Sequence, residues 1–410
     1  MSSEQKTLAI PETSCSVTVP AMAAAARASS RAGTLTALFL IGFGAFLPLH
    51  APQPLLPQFR HLFGASELMV SLTISAPVLA VALAAPLVGL LADAVGRKRV
   101  IVVAMLGLTF PTALAGTSAN LAILIAWRFV QGLFIPGIVA TAMAYINEES
   151  PDESAGSTMA IYVTGTVVGG FAGRFLVGVA ENHWGWRIAF LVLGAATLAA
   201  TVAVWRLLPR ATKFIRQSTA AAVFGLMRAH LRNPQLLATY AVGFNVLFCM
   251  VGTFTYVNFY LADKPFFLGP AALGSIFGVF LIGAVITPVA GHILDRIGHR
   301  RTLLGAVGIS VAGMLLTMIQ NVPTVIAGLT LESLGVFVCQ SASASYVGRA
   351  AAGGLSSAAG IYVAFYYLGG CMGSILPGFI WKQAGWFGCV TVIIFMQFVA
   401  LLIAGKLWRD

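Results

Sequence analysis

The chain has 410 residues, 59% of them hydrophobic and only 9% charged, with a formal net charge of +11. A typical soluble domain is about 25% charged, so this sparse charge and a mean hydropathy of +0.91 exclude a soluble protein and indicate many membrane spans. The basic residues are spread over separate loops, which suits contact with anionic inner-leaflet lipid and argues against nucleic-acid binding.

Residues 1–32 are polar, rich in Ser and Ala, and read as a disordered cytoplasmic tail. The run AMAAAARASSRAG is too short and too weakly apolar for a signal sequence. Crossing a hydrocarbon core of about 30 Å takes about 20 helical residues. Twelve stretches qualify: 33–56, 67–91, 100–118, 121–147, 156–181, 186–208, 236–261, 269–293, 302–320, 323–348, 354–380 and 386–407. Their unbroken Ala-, Leu- and Gly-rich runs predict helices, not a barrel, so the fold expected is an all-α membrane protein.

Span 1 holds no Asp or Glu, and Pro48, Pro52, Pro54 and Pro57 break its end near His50 and Gln53. Span 2 runs into GLLADAVGRKR, with Gly89, Asp93, Gly96, Arg97 and Lys98. Span 4 carries Arg128 about 8 residues from its outer end, roughly 10–12 Å deep. Span 5 holds GTVVGGFAGR, where Gly165, Gly169, Gly170 and Gly173 suit close helix contact and Arg174 follows them. A polar linker, 209–235, contains an amphipathic basic piece suited to the membrane surface. Span 7 mixes Phe and Tyr with Asn in GFNVLFCMVGTFTYVNFY. Span 8 runs into GHILDRIGHRR, with Gly291, Asp295, Gly298 and Arg300. Span 10 places Glu332 about 9 residues in, roughly 14 Å deep.

Eighteen of the twenty-four Lys and Arg fall on one side when the N-terminus is taken as cytoplasmic, and both termini are then expected inside. The five cysteines are scattered with no CxxC, and no metal-ligand spacing occurs, so neither a metal nor a cofactor is expected.

The chain also repeats itself. The two charged turns lie 202 residues apart, and residues 161–186 match 361–386 at ten of 26 positions. The reading is two six-helix halves in one orientation, 33–208 and 236–410, an architecture suited to alternating access around a midplane site. On these residues the chain resembles a major facilitator superfamily transporter over nearly its whole length. RFVQGLF in span 4, with Arg128 and Gly132, resembles the superfamily's Arg-x-x-x-Gly signature, while GRKRVIVVAMLG and the GGxxGR…GWRxAF stretch resemble bacterial drug:proton antiporters and arabinose-efflux-type inner-membrane permeases.

The resemblance implies a cytoplasmic gate built from Gly89, Asp93, Gly96, Arg97, Lys98, Gly291, Asp295, Gly298 and Arg300. Asp93 would face the start of span 11 and Asp295 the start of span 5, while Arg97 and Arg99 pair with Asp93 or with lipid phosphate and Lys98 and Arg300 act mostly as anchors. It implies a cavity lined by spans 1, 4, 7 and 10, with His50, Gln53, Asn245, Tyr256, Asn258 and Gln340 as candidates for an amphipathic or aromatic solute. It also implies a monomer in a bacterial inner membrane.

Ionisable residues inside spans are expensive, so each demands a role. Arg128 is either part of proton coupling or a structural donor to a neighbouring helix carbonyl. Arg174 is a second coupling candidate, whose partner is Glu181 or a residue on another helix. A carboxyl as deep as Glu332 is easier to hold protonated than charged. It reads as a proton carrier, as a counter-charge for a cationic substrate, or as a protonated group bonded between helices. The function expected is proton-coupled efflux of a small molecule; the alternative is an importer of a sugar or organic acid. An enzyme is not expected, because HExxH, GxSxG and Walker patterns are absent from the sequence.

Overall fold

The computed structural model describes residues 18–149, 152–211, 227–351 and 355–408, without the side chains of 18–30, 86–95, 152–155, 284, 287, 288, 295, 355 and 356. The elements in chain order are α1 (Thr18–Phe46), a 3₁₀ turn (Gln53–Leu55), α2 (Leu56–Leu62), α3 (Glu67–Val95), α4 (Arg97–Ala115), α5 (Leu121–Glu149), α6 (Asp152–Trp184) and α7 (Trp186–Leu207). After the linker come α8 (Pro234–Ala262), α9 (Pro270–Ile276), a 3₁₀ turn (Phe277–Phe280), α10 (Leu281–Ile297), α11 (His299–Leu316), α12 (Val322–Ala350) and α13 (Leu355–Leu407).

Eight described helices are long and apolar enough to cross a membrane. The longest, α13, is two spans joined at Gly385, whose φ of 54° interrupts the helix. With α1, the α9–α10 segment and α11, the chain accommodates twelve spans. Large side chains such as Val103, Phe110, Val285, Phe379 and Leu402 face outward, as a lipid-exposed surface requires.

Two boundaries differ from expectation. Span 1 ends at Phe46 instead of residue 56, because the prolines that follow cannot donate backbone hydrogen bonds and clash with a continuing helix. Helix α1 also begins at Thr18, so part of the segment expected to be a disordered tail is helical; its alanines are the strongest helix formers. Other helix starts follow local chemistry. The side chains of Ser66, Asn233 and Asn321 accept from backbone N–H groups in the first turns of α3, α8 and α12.

The internal repeat is visible as geometry. Gly96 and Gly298 turn α3 into α4 and α10 into α11 with φ of 97° and 84°. Gly185 and Gly385 do the same for the other equivalent pair, with φ of 83° and 54°. A residue with a Cβ is strained there. Within the halves, α6 lies on α1 and the first part of α13 lies on α8. The halves meet where α3 packs on α13 and α6 packs on α9 and α10.

Candidate functional site

Proline placement creates the first feature. Helix α1 ends in a proline-rich turn, and the carbonyl of Thr73 in α3 loses its helical donor because the residue four positions on is Pro77. Arg128, fully buried on α5, supplies the missing donors. Its Nε donates to Thr73 O at 2.9 Å and its Nη1 to Pro48 O at 2.7 Å. Further bonds go to Gln131 Oε1 and Leu49 O. Gln131 in turn donates to Thr112 Oγ1 at 2.7 Å on α4. These are bonds of the kind the structural role of Arg128 requires.

Beside it, the broken end of α1 brings predicted residues together. Arg174 Nε donates to Gln53 Oε1 at 2.7 Å, and Nη1 donates to Gly170 O at 2.5 Å. Its guanidinium lies 4.6 Å from the Phe277 ring centre and 5.0 Å from that of Phe280, both in the opposite half. Gln53 Nε2 crosses between halves to Thr255 Oγ1 at 3.3 Å. His50 is close enough to feel the charges of Arg174 and Arg128, and its Nε2 has no hydrogen-bond partner. Glu181, one partner considered for Arg174, accepts from Gln58 instead.

This is the end of the bundle opposite the charged turns, the outer end under the orientation expected from the Lys and Arg bias, and here the halves are fastened. Ser71 Oγ donates to Ser374 O at 2.9 Å across the seam and Ser75 Oγ lies 2.5 Å from Ser374 Oγ, while Tyr256 Oη, in the same half as Ser374, donates to that carbonyl at 2.8 Å. Ser75 and Phe277 are equivalent by the 202-residue offset of the charged turns, as are Ser374 and Arg174 by the 200-residue offset. The same repeat positions thus form two of the contacts between halves, with different chemistry in each. Near the surface, Arg60 grips Asp263 with Nη2–Oδ1 at 2.8 Å and Nη1–Oδ2 at 3.1 Å, and reaches Glu67 at 3.1 Å. The Asp263 hydrogen bond pushes the Arg60 guanidinium above its ordinary range, so it remains charged.

Loosening this pair has a modest expected effect, because Asp263 is 46% exposed and solvent screens it. A contribution of about 0.2–1 kcal/mol makes Asp263→Asn raise the outer-open population by no more than about fivefold. Pulsed EPR between spin labels at the exposed positions Leu62 and Phe267 reads that change as added long distances. An unaltered distribution refutes a clasp at Arg60.

The cavity candidates separate. Gln53, Tyr256 and Asn258 are buried in the closed outer end, not in an open cavity, and Asn258 Nδ2 donates to its own helix at Phe254 O, 2.6 Å. The sequence places them on inward-facing helix sides but cannot show which side of the bundle is closed. Asn245 lines a cavity of about 20 Å³ inside the C-terminal half with Cys249, Ser310, Cys339 and Gln397. Gln340 is half-buried and hydrogen-bonds Tyr366, which belongs to an aromatic group with Tyr362 and Tyr367 on α13. The sequence reading gave no functional role to those tyrosines or to Ser71, Ser75, Ser374, Arg60 and Asp263. The signal available was the repeat itself, since 161–186 and 361–386 hold Tyr362 and Ser374.

Glu332 is fully buried on α12, with Oε1 accepting from Thr253 Oγ1 at 3.4 Å and Oε2 without a partner. No three His, Cys, Asp or Glu side chains group as metal ligands among the described residues.

At the other end, the Asp93 and Asp295 side chains, with the 150–155 and 352–356 segments they were expected to face, lie outside what is described. Gly89 shares that limit, while Gly291 has open space around it. Arg97 has a partner the sequence reading lacked: Nη2 lies 2.6 Å from Glu148 Oε1 and Nε 3.1 Å from Oε2, tying the charged turn to the end of α5. Lys98, expected to be an anchor, donates to Leu208 O at the end of α7. Arg300 is exposed.

The family model of the Major Facilitator Superfamily matches residues 34–266 and 265–410. The inner membrane transport protein YnfM of Escherichia coli (strain K12) is 30% identical over 376 residues, covering 91% of this chain and 90% of that one. A chloramphenicol efflux pump of Mycobacterium tuberculosis, Rv0191, is 24% identical over 300 residues, covering 70% of this chain and 71% of that one. Among solved structures, a bacterial homologue of the human lysosomal transporter Spinster, inward-facing and occupied, superposes with a TM-score of 0.75 at 15% identity, covering 92% and 97% of the two chains.

Proposed function

The chain belongs to the major facilitator superfamily, and from that membership we propose that it exports a small molecule across the bacterial inner membrane in exchange for protons, as a monomer with both termini in the cytoplasm. Its likeness to a chloramphenicol efflux pump favours export over import. The fastening of Gln53 to Thr255, of Ser71 and Ser75 to Ser374, and of Arg60 to Asp263 supports alternating access. These bonds break when the outer end opens, and the turns at Gly96 and Gly298 close the cytoplasmic end in that state, with Asp93 and Asp295 as their latches.

Glu332 carries the proton-coupling part of this reading. A fully buried carboxyl with one oxygen unpartnered is neutral at rest and charged only when the site opens to water or takes a cation, so proton release is tied to conformation. Arg128, held by backbone carbonyls, shapes the site and carries no proton.

The test uses inverted vesicles with an imposed proton gradient followed by a pH-sensitive dye. Cationic drugs, sugars, amino acids and organic acids are added in turn. The parent dissipates the gradient with its substrate. Glu332→Gln loses that response and retains counterflow of labelled substrate. Proton movement unchanged in Glu332→Gln removes Glu332 as the carrier.

A further inference from the structure

Among the described residues, the interior of the N-terminal half is positive, with no acid paired to either of its two deeply buried arginines. Arg128 is fully buried and Arg174 is 4% exposed, and neither meets a carboxylate among the described residues. The two differ in how far they are satisfied. Arg128 spends its donors on the carbonyls of Thr73, Pro48 and Leu49 and on Gln131 Oε1. Arg174 gives one bond to Gln53 and one to Gly170 O, and its remaining surface lies against the rings of Phe277 and Phe280. A ring face attracts a cation but brings no net charge. Next to it stands His50, more than nine-tenths buried, with Nε2 unpartnered. A guanidinium held inside a membrane in this way lacks an anion.

We infer that Arg174, with Gln53 and His50, forms the subsite for an anionic group, a carboxylate, on the transported solute. Position favours this assignment. Arg174 lies six residues past the midpoint of α6, about 9 Å along the helix, in the seam where α6 packs on α9 and α10 of the opposite half. In the closed outer end, Phe277, Phe280 and Thr255 cover it from the opposite half. When that end opens, those residues leave, and Arg174 and Gln53 lose their cross-half partners together. Arginine presents a planar fork that matches a carboxylate with two parallel bonds. Gln53 fixes the plane of the fork through Nε, which leaves the Nη2 side for a ligand.

This inference rests on the transport reading and narrows its substrate class. The experiment measures thermal unfolding of the purified full-length protein in detergent with matched probes: benzoate, benzamide and benzylamine, then butyrate, butyramide and butylamine, with sulfate as an inorganic anion. The carboxylates raise Tm and their amides and amines do not. Arg174→Gln weakens carboxylate protection by ~10-fold or more, since a bond to a charged group is lost, while Arg174→Lys keeps part of it. Arg187→Gln, which removes a peripheral guanidinium beside Trp186, leaves protection intact. Equal protection by amides or by sulfate overturns the carboxylate assignment, as does a wild-type protein indifferent to every carboxylate. Equal protection of Arg174→Gln and wild type overturns the place of Arg174. None of these outcomes touches proton exchange, which fails independently if no solute dissipates the gradient.

Discussion

Arg128→Leu is expected to remove most folded protein from the membrane, not merely to slow transport. The side chain is fully buried and donates to Thr73 O, Pro48 O, Leu49 O and Gln131 Oε1. No backbone donor can replace it at Thr73, because Pro77 occupies the position that would bond there. Each buried acceptor left without a donor costs about 1–3 kcal/mol. Pro48 O keeps a bond from the Ala51 backbone N–H, so three acceptors are orphaned and the loss is about 3 kcal/mol or more, at the large end for a single substitution. A lysine offers one point charge where the guanidinium offers a planar fork, so Arg128→Lys falls between. Size-exclusion profiles and Tm of the solubilised variants decide it. A monodisperse Arg128→Leu protein with the parent's Tm, inactive only in proton exchange, returns Arg128 to the coupling machinery.

The second large effect is expected at the glycine seams. A Cβ at Gly169 would overlap the carbonyl oxygen of Phe43, and one at Gly173 that of Leu47. In the other half, Gly369 and Gly373 stand against the carbonyls of Phe244 and Phe248. Backbone cannot yield as a flexible side chain can, so the helices must separate. Helix association in a membrane depends on close packing, without a hydrophobic drive between helices. Overpacking a tight contact costs about 1–3 kcal/mol and occasionally more. Gly169→Leu and Gly369→Leu are therefore expected to lower Tm strongly and alike. Gly305→Leu on α11, with nothing within 4 Å, is expected to change it little. A Gly169→Leu protein as stable as the Gly305→Leu protein contradicts the close approach.

The expectation of an open cavity on spans 1, 4, 7 and 10 fared unevenly for a physical reason. Helical position in sequence tells which residues face inward, and His50, Gln53, Tyr256 and Asn258 are all interior. Whether an interior residue lines a cavity or a closed seam depends on how the two halves are tilted. That tilt is set by contacts such as Ser75–Ser374 and Arg60–Asp263, between residues about 200–300 positions apart. Local pattern carries no information over such distances. Ser374 shows the limit well. It was legible as the position where the repeat loses Arg174, and its bonds to Ser71 and Ser75 appear only when α3 lies against α13.

What the sequence determined by itself was everything with a short-range cause: span length from hydrocarbon thickness, the break after α1 from its prolines, and the turns at Gly96 and Gly298 from a φ that side chains resist. The doubled architecture was equally legible, because a repeat needs no three-dimensional information to be seen. The tertiary structure alone decided where each buried charge finds its partners. It sent Arg128 to carbonyls freed by proline, joined Arg174 to Gln53 instead of Glu181, gave Arg97 to Glu148, and left one oxygen of Glu332 bare. An embedded charge must be satisfied by whatever polar atom folding brings within about 3 Å, and that neighbour is fixed by the packing of whole helices, not by any stretch of chain around it.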